Sequence, residues 1–170
     1  MSVRLRYVLA GMLLAAGLAA CAEEPASKPA FYTDLSRGGS SLDRVDAAQT
    51  INLFRANNGL TPVVLDERLN TLAEAYARDL AEAAKRGEAI KPDGKLKQRL
   101  AGNGYQGADA RENVSAGYHT FAEAFSGWRE SKQHRETMLM PGAATIGIAA
   151  VYLPGTKYRV YWVLILAKPA

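Results

Sequence analysis

Residues 146–167 read IGIAAVYLPGTKYRVYWVLILA, which is the pattern of two β-strands joined by a turn. Pro154, Gly155 and Thr156 have turn chemistry, and the residues on either side are β-branched and aromatic. In the predicted second strand, one face carries Tyr158, Val160, Trp162, Leu164 and Leu166, and the other carries Tyr161, Val163 and Ile165. Because both faces are apolar, we expect helices to cover both sides of a small antiparallel sheet. The fold class is therefore α+β, a three-layer α–β–α sandwich.

Helical patterns precede these strands and supply the two outer layers. The clearest pattern begins after Asp66, a favourable N-cap residue, and ends at Gly87. An earlier helix is predicted to be capped by Ser40 or Ser41, and a later one begins at Thr120. The apolar stripes are Ala47, Ile51 and Phe54 in the first helix, Leu69, Leu72, Ala73, Tyr76, Leu80 and Ala83 in the second, and Phe121, Ala124, Phe125 and Trp128 in the third.

The N-terminus has the organisation of an export signal. Arg4 and Arg6 precede an uncharged apolar run over residues 8–19, which is too short to span a membrane comfortably. The run ends in LAAC at residues 18–21, which resembles a bacterial lipobox whose cysteine carries the lipid. We therefore divide the chain into a signal peptide (1–20), a tether after lipidated Cys21 (21–41) and a folded domain (42–170).

The lipobox predicts a lipoprotein attached to a membrane through Cys21. The next residue is Ala22 rather than Asp. By resemblance to Gram-negative sorting signals, this favours the outer membrane, with the domain facing the periplasm. Residues 22–41 contain Pro, Ser and Gly with little periodicity, as is typical of a tether.

Composition narrows the function classes. The chain has one Cys and two His, which excludes an intramolecular disulfide framework, a Cys-based zinc finger and a three-His metal site. The net charge is +4, but Arg4 and Arg6 belong to the predicted signal. The mature chain is thus close to neutral, and we expect no nucleic-acid partner. A monomer is expected.

Several ordered segments, taken together, resemble the CAP superfamily of cysteine-rich secretory and pathogenesis-related proteins, in its bacterial branch. The resemblance spans residues 43–167 and implies the same α–β–α sandwich. The segments are NLFR (52–55), GLTPV (59–63), DERL (66–69), PDG (92–94), RL (99–100), GY (104–105), ENVSAG (112–117), WRESKQHR (128–135), ML (138–139), IGIA (146–149) and YW (161–162).

The resemblance also implies a cleft, which in many family members holds two His and two acidic residues and sometimes a metal. The matching positions here are Glu112, His134 and Ser131, with Ser131 at the second acidic position. The first His should lie just before Pro92, where residues 87–91 contain none. The chain thus keeps half of the set, and we expect no metal and no cofactor.

Three interpretations of these residues stay open. In the first, the Glu/His cleft binds a ligand or partner without catalysis. In the second, His134 and Glu112, with Ser131 as a candidate nucleophile, act as an envelope hydrolase on peptide or cell-wall polymer. In the third, the cleft is vestigial in a structural or interaction lipoprotein, and the Glu–His pair only ties elements together. His119, beside the start of a helix, is assigned to surface or packing.

One local basic excess lies in residues 85–99. It is a candidate site for an anionic envelope ligand or lipid, with a solvated surface as the alternative. This excess covers the region of the missing His, and the candidate ligand contacts in it are Lys91, Lys95, Lys97 and Arg99. The leading prediction is a lipid-anchored CAP-domain protein of the cell envelope that binds a ligand or partner without being an enzyme.

Overall fold

The computed structural model describes residues 29–105 and 109–169 of the 170-residue chain. The predicted signal peptide and Cys21 lie outside the described residues. Within the described part, no helix is both long and apolar enough to cross a membrane.

A four-stranded sheet forms the central layer, with the strand order β1–β3–β4–β2. The strands are β1 (Val64–Leu65), β2 (Ala110–Ala116), β3 (Thr145–Tyr152) and β4 (Val160–Ala167). The predicted hairpin is β3 and β4, paired antiparallel with Ile148 opposite Leu164, and β4 pairs antiparallel with β2. The short β1 runs parallel to β3, so the sheet is antiparallel except at this edge.

Within the described residues, five α-helices make up the outer layers, as the sequence patterns predicted in outline. Asp66 caps the second helix by accepting from the backbone N–H groups of Arg68 and Leu69, and Gly87 ends the helical segment with φ +82°. The helices are α1 (Arg44–Ala56), α2 (Glu67–Lys85), α3 (Leu96–Ala101), α4 (Phe121–Glu130) and α5 (Lys132–Met138).

One face of the sheet packs against α2 and the other against α1 and α4. The side chains of Tyr161, Val163 and Ile165 meet the apolar stripe of α2. Trp162 and Trp128 are fully buried on the opposite face, with ring centroids 6.1 Å apart. The three-layer arrangement predicted from the two apolar faces is confirmed.

Three local predictions differ from the structure. The N-cap of α1 is Asp43 rather than Ser40 or Ser41, and its carboxylate accepts from the N–H groups two and three residues on. The strand predicted to begin at Tyr158, β4, begins at Val160. Arg159 adopts φ +63° and so interrupts the alternation of side chains between the two faces. Tyr158 therefore packs on the α2 side of the sheet, not on the face of Val160.

The segment assigned to the tether is packed on the domain over part of its length. Phe31 meets Phe121 edge to face, with centroids 5.5 Å apart, and Leu35 is buried. The N–H of Leu35 donates to the carbonyl of His119, and Arg159 donates to the carbonyl of Ser36. Described residues that pack on the domain are thus found up to about a dozen positions before the predicted boundary at residue 42.

Candidate functional site

The candidate residues gather around β2, which lies at one edge of the sheet. Successive side chains of a strand point to opposite faces. Val114 belongs to the apolar cluster on the α2 side, so Glu112 shares that side. Ser115 accepts a hydrogen bond from the indole N–H of Trp128 on the other side, which Asn113 therefore faces as well.

Glu112 is bound by Arg99. An Nη of Arg99 donates to the Glu112 carboxylate at 2.7 Å, and the other Nη donates to both carboxylate oxygens of Asp93 at 2.8 and 2.9 Å. The guanidinium also lies over the ring of Tyr76, 3.6 Å from its centroid. The hydroxyl of Tyr76 accepts from the backbone N–H of Asp93, which ties the loop to α2.

Burial and neighbouring charges shift the pKa values of this cluster in opposite directions. The side chain of Glu112 is only 8% exposed, and burial raises its pKa although Arg99 acts to lower it. Burial acts to raise the pKa of Asp93 as well, but the hydrogen bond from Arg99 and that from the backbone of Lys95 bring it below its ordinary value. Burial acts to lower the pKa of Arg99, yet its two carboxylate partners raise it. The guanidinium is therefore a fixed cation between two acids.

His134 occupies a different environment from Glu112. Its backbone carbonyl accepts from the side-chain amide of Asn113 at 3.0 Å, which joins α5 to the face of β2 opposite Glu112. Burial lowers the pKa of the imidazole, and a hydrogen bond with the backbone of Val114 offsets part of that effect. Across the described residues, no hydrogen bond joins Glu112 to His134. The direct Glu–His pair considered from the sequence is therefore not formed.

Ser131 lies at the junction of α4 and α5, where its extended ψ of 119° interrupts the helix. Ser131 and His134 therefore do not lie on one continuous helix. With Glu112 bound to Arg99, the three candidates do not form a Ser–His–Glu relay in this conformation.

The cationic partner of Glu112 in the structure is Arg99 of α3. His119 lies at the far end of β2, where its backbone N–H donates to Glu123 at 2.6 Å and its ring is close enough to Asp34 to affect that carboxyl. The sequence missed the role of Arg99 because 13 residues separate it from Glu112. One available signal was that a glutamate on a buried strand needs a cationic partner.

Among the described residues, no cluster of three or more His, Cys, Asp and Glu side chains has the arrangement of a metal site. A cavity of about 420 Å³ lies beside Glu112 at the outer edge of β2. We call it the β2 groove, and its lining residues are Pro92, Leu96, Ala110, Arg111, Glu112, Gln133, Glu136 and Thr137.

In the structure, some cations of the predicted basic surface pair with acidic side chains and others do not. Arg99 turns inward to Asp93 and Glu112, Arg86 pairs with Glu88, and the ammonium of Lys85 is 4.0 Å from Glu82. Within the described part of the chain, no acidic side chain lies within 4.0 Å of the three remaining cations, Lys91, Lys95 and Lys97.

Residues 48–166 match the model of the family described as CAP, the cysteine-rich secretory protein family. The chain belongs to the CAP family. The resemblance inferred from the ordered motifs is confirmed, although this CAP domain has no cysteine of its own after residue 21.

Three proteins similar to this CAP domain come from bacteria. The uncharacterized protein YkwD of Bacillus subtilis is 28% identical over 100 residues, which is 59% of this chain and 39% of that protein. An extracellular SCP-domain protein of Bacillus anthracis has 19% identity and a TM-score of 0.59. The match covers 74% of this chain and 40% of that protein. An outer surface protein of Borrelia burgdorferi has 18% identity and a TM-score of 0.62. The match covers 78% of this chain and 99% of that protein.

These structural likenesses establish the fold. The chain spans about two fifths of the length of the Bacillus subtilis relative and of the Bacillus anthracis protein.

Proposed function

We propose that this protein is a lipid-anchored CAP-domain protein of the bacterial cell envelope that binds a ligand or partner, without catalysis, in the β2 groove. One observation carries the proposal: Arg99 binds the carboxylate of Glu112, while the groove beside that carboxylate is open. A carboxylate held in this way shapes and charges a binding wall but is not available as a base for His134.

The envelope location rests on the predicted export signal and on the location of two proteins with the same fold. The only cysteine of the chain is Cys21, at the position that a lipobox requires. Two structural relatives are named as extracellular and outer surface proteins. We therefore propose that Cys21 is lipidated, and that the outer membrane holds the domain in the periplasm.

Two measurements test this function on the full chain. Growth with a palmitate analogue should label the wild-type protein and leave Cys21→Ser unlabelled. Incubation with cell-wall polymer and with envelope peptides should release no product. Turnover that is lost in His134→Gln, at unchanged melting temperature, would instead establish a hydrolase.

Binding is tested by amide NMR spectra of the folded domain with envelope fractions. Shifts should concentrate at the groove residues 110–112 and 133–137. Charge reversal at its rim, Arg111→Glu, should weaken them, whereas reversal of the distant Arg78, Arg78→Glu, should not. Shifts confined to any other surface would contradict the proposal.

A further inference from the structure

The outer edge of β2 has backbone groups that the sheet does not use. The N–H of Gly117 donates to Val160, and the N–H of Lys168 donates to Asp109. Hydrogen-bonded pairs alternate in an antiparallel ladder, so the odd-numbered residues of β2 bond to β4. The N–H and C=O groups of its even-numbered residues therefore point outward from the sheet.

Only part of this edge is covered. The imidazole of His134 lies beside the backbone of Val114, close enough for that backbone to raise the pKa of the ring. Ala110 and Glu112 instead line the β2 groove, and no described group forms a hydrogen bond with their outward N–H or C=O. The part of the edge that stays open therefore comprises the outward groups of Ala110 and Glu112. It stops at Val114, where His134 lies beside the strand.

The spacing of these free groups fits an extended chain. Ala110 and Glu112 are two residues apart, so their outward groups repeat at about 7 Å, the repeat of a strand. An added strand would lie between a wall made by Pro92 and Leu96 and a wall made by α5. Such edge pairing supplies affinity through main-chain hydrogen bonds and specificity through alternate side chains.

The charge around the groove favours an acidic occupant. Its two carboxylates already have cationic neighbours, since Glu112 binds Arg99 and Glu136 lies 3.9 Å from Lys132. Lys97 flanks Leu96 on the other wall and is close enough to Asp109, at the start of β2, to influence its carboxyl. Arg111 also lines the groove, so Lys97 and Arg111 supply positive charge that an acidic side chain would neutralise, whereas Lys91 and Lys95 line a different cavity beside α2.

We infer that the ligand of the β2 groove is an extended peptide with acidic side chains, which joins the sheet as an additional strand beside β2. This inference rests on the proposed binding function and specifies its ligand class. Lipid headgroups and glycans lack the alternating N–H and C=O groups that the edge of β2 would pair with.

The direct test is amide hydrogen exchange with a defined probe. The probe is an acetylated, amidated pentapeptide of alternating glutamate and valine. In the free protein, the amides of Arg111 and Asn113 should be protected and those of Ala110 and Glu112 should exchange rapidly. Saturating probe should slow exchange at Ala110 and Glu112 at least tenfold. Unchanged exchange at both residues would overturn the inference.

Matched peptides separate strand addition from simple charge attraction. The same pentapeptide, N-methylated at the residues whose N–H groups face β2, keeps its side chains and charge but loses donors. It should bind at least tenfold more weakly, and so should a version with lysine in place of glutamate. Equal affinity for the N-methylated peptide would exclude strand addition.

Matched variants test the same edge from the protein side. Ala110→Pro removes an outward N–H that the sheet does not use, so the fold should tolerate it while probe binding falls at least tenfold. Ala116→Pro removes an outward N–H at the other end of β2, outside the groove, and should leave the affinity for the probe unchanged. Equal loss in both variants would contradict the groove as the site. If Ala110→Pro does not fold, the exchange and N-methyl measurements decide the question.

The outcome separates this inference from the function it rests on. If the probe does not bind but phosphatidylglycerol vesicles or cell-wall fragments shift the groove amides, the peptide inference is wrong and the groove remains a binding site. If none of these probes perturbs residues 110–112 or 133–137, the inference and the proposed function both fail.

Discussion

Arg99 lies 2.7 Å from the carboxylate of Glu112 and, through its other amino group, 2.8 Å from that of Asp93. One guanidinium thereby holds the loop after α2 against the edge strand β2. The contact with Tyr76 adds α2 to the same cluster. This part of the domain is thus organised around a permanent cation.

Removing that cation should destabilise the domain. Arg99→Met leaves Glu112, with its 8% exposed side chain, as a buried carboxylate without a partner. Loss of one member of a buried pair costs about 3 kcal/mol. The free energy of unfolding, measured by chemical denaturation, should fall by that order.

The double variant Arg99→Met with Glu112→Gln should regain part of this loss, since the uncompensated charge is gone. A double variant no more stable than Arg99→Met would show that the cost lies in packing over Tyr76 rather than in the charge.

The buried imidazole of His134 should make stability depend on pH. Burial lowers its pKa below the ordinary 6.5, so the folded state binds the proton less readily than the unfolded state. The stability contributed by neutral His134 is present above pH 6.5 and is lost as the pH falls toward the folded-state pKa. The difference in unfolding free energy between wild type and His134→Gln should shrink over that interval.

Denaturation series at several pH values between about 7.5 and about 5 measure this difference. The raised pKa of Glu112 has the opposite sign, because that carboxyl favours folding in its protonated form, but it acts on both proteins alike. A difference that grows on acidification would contradict the assignment to His134.

The fold was predictable because periodic patterns act locally. The two apolar faces of residues 160–167 required helices on both sides, and the stripes of α2 and α4 supplied them. Local backbone chemistry was harder to predict. Nothing in the pattern indicated that Arg159 would adopt a left-handed φ and send Tyr158 to the opposite face.

The candidate site was only half predictable. Glu112 and His134 came from the family motifs, and the structure places Glu112 in β2 and His134 in α5, beside the backbone of Val114. Their separation follows from the alternation of a strand, which turns Glu112 toward α2 and Asn113 toward α5. Arg99 was counted in a basic surface, because no sequence spacing shows that a residue on α3 reaches an acid on β2.

Gly147 permits the close approach of α2 to β3. A Cβ at this position would overlap the backbone and Cβ of Leu69, so neither helix nor strand can stay in place. Gly147→Ala should therefore lower the free energy of unfolding by about 3 kcal/mol, as overpacking does. Gly102→Ala is the control, because its added methyl would make only ordinary contacts, with the nearest atom at 3.7 Å.

Melting curves of the two alanine variants decide this prediction. Gly147→Ala should melt several degrees below wild type, and Gly102→Ala should melt near it. Similar melting temperatures for the two variants would show that α2 can shift to make room.

Arg55 is a fully buried cation whose hydrogen bonds in the described structure go to backbone carbonyls. Its Nε donates to Thr61 at 3.0 Å, and one Nη donates to Met138 and Met140 at 2.9 and 3.1 Å. Burial lowers its pKa, but three charge-assisted hydrogen bonds hold the guanidinium in place. This side chain joins α1 to the end of α5.

Arg55→Met should therefore cost about 3 kcal/mol of unfolding free energy, because three carbonyls lose their donor in the interior. Arg55→Lys should recover little, since an ammonium on a flexible stem cannot reproduce the planar fork that reaches Thr61 and Met138 together. Arg78→Met is the matched control: Arg78 pairs with Glu74 on an exposed helix face, where an ion pair contributes at most about 1 kcal/mol. Chemical denaturation of the three variants measures how much unfolding free energy each one loses. A lysine variant as stable as wild type would show that charge alone, rather than the geometry of the fork, joins these elements.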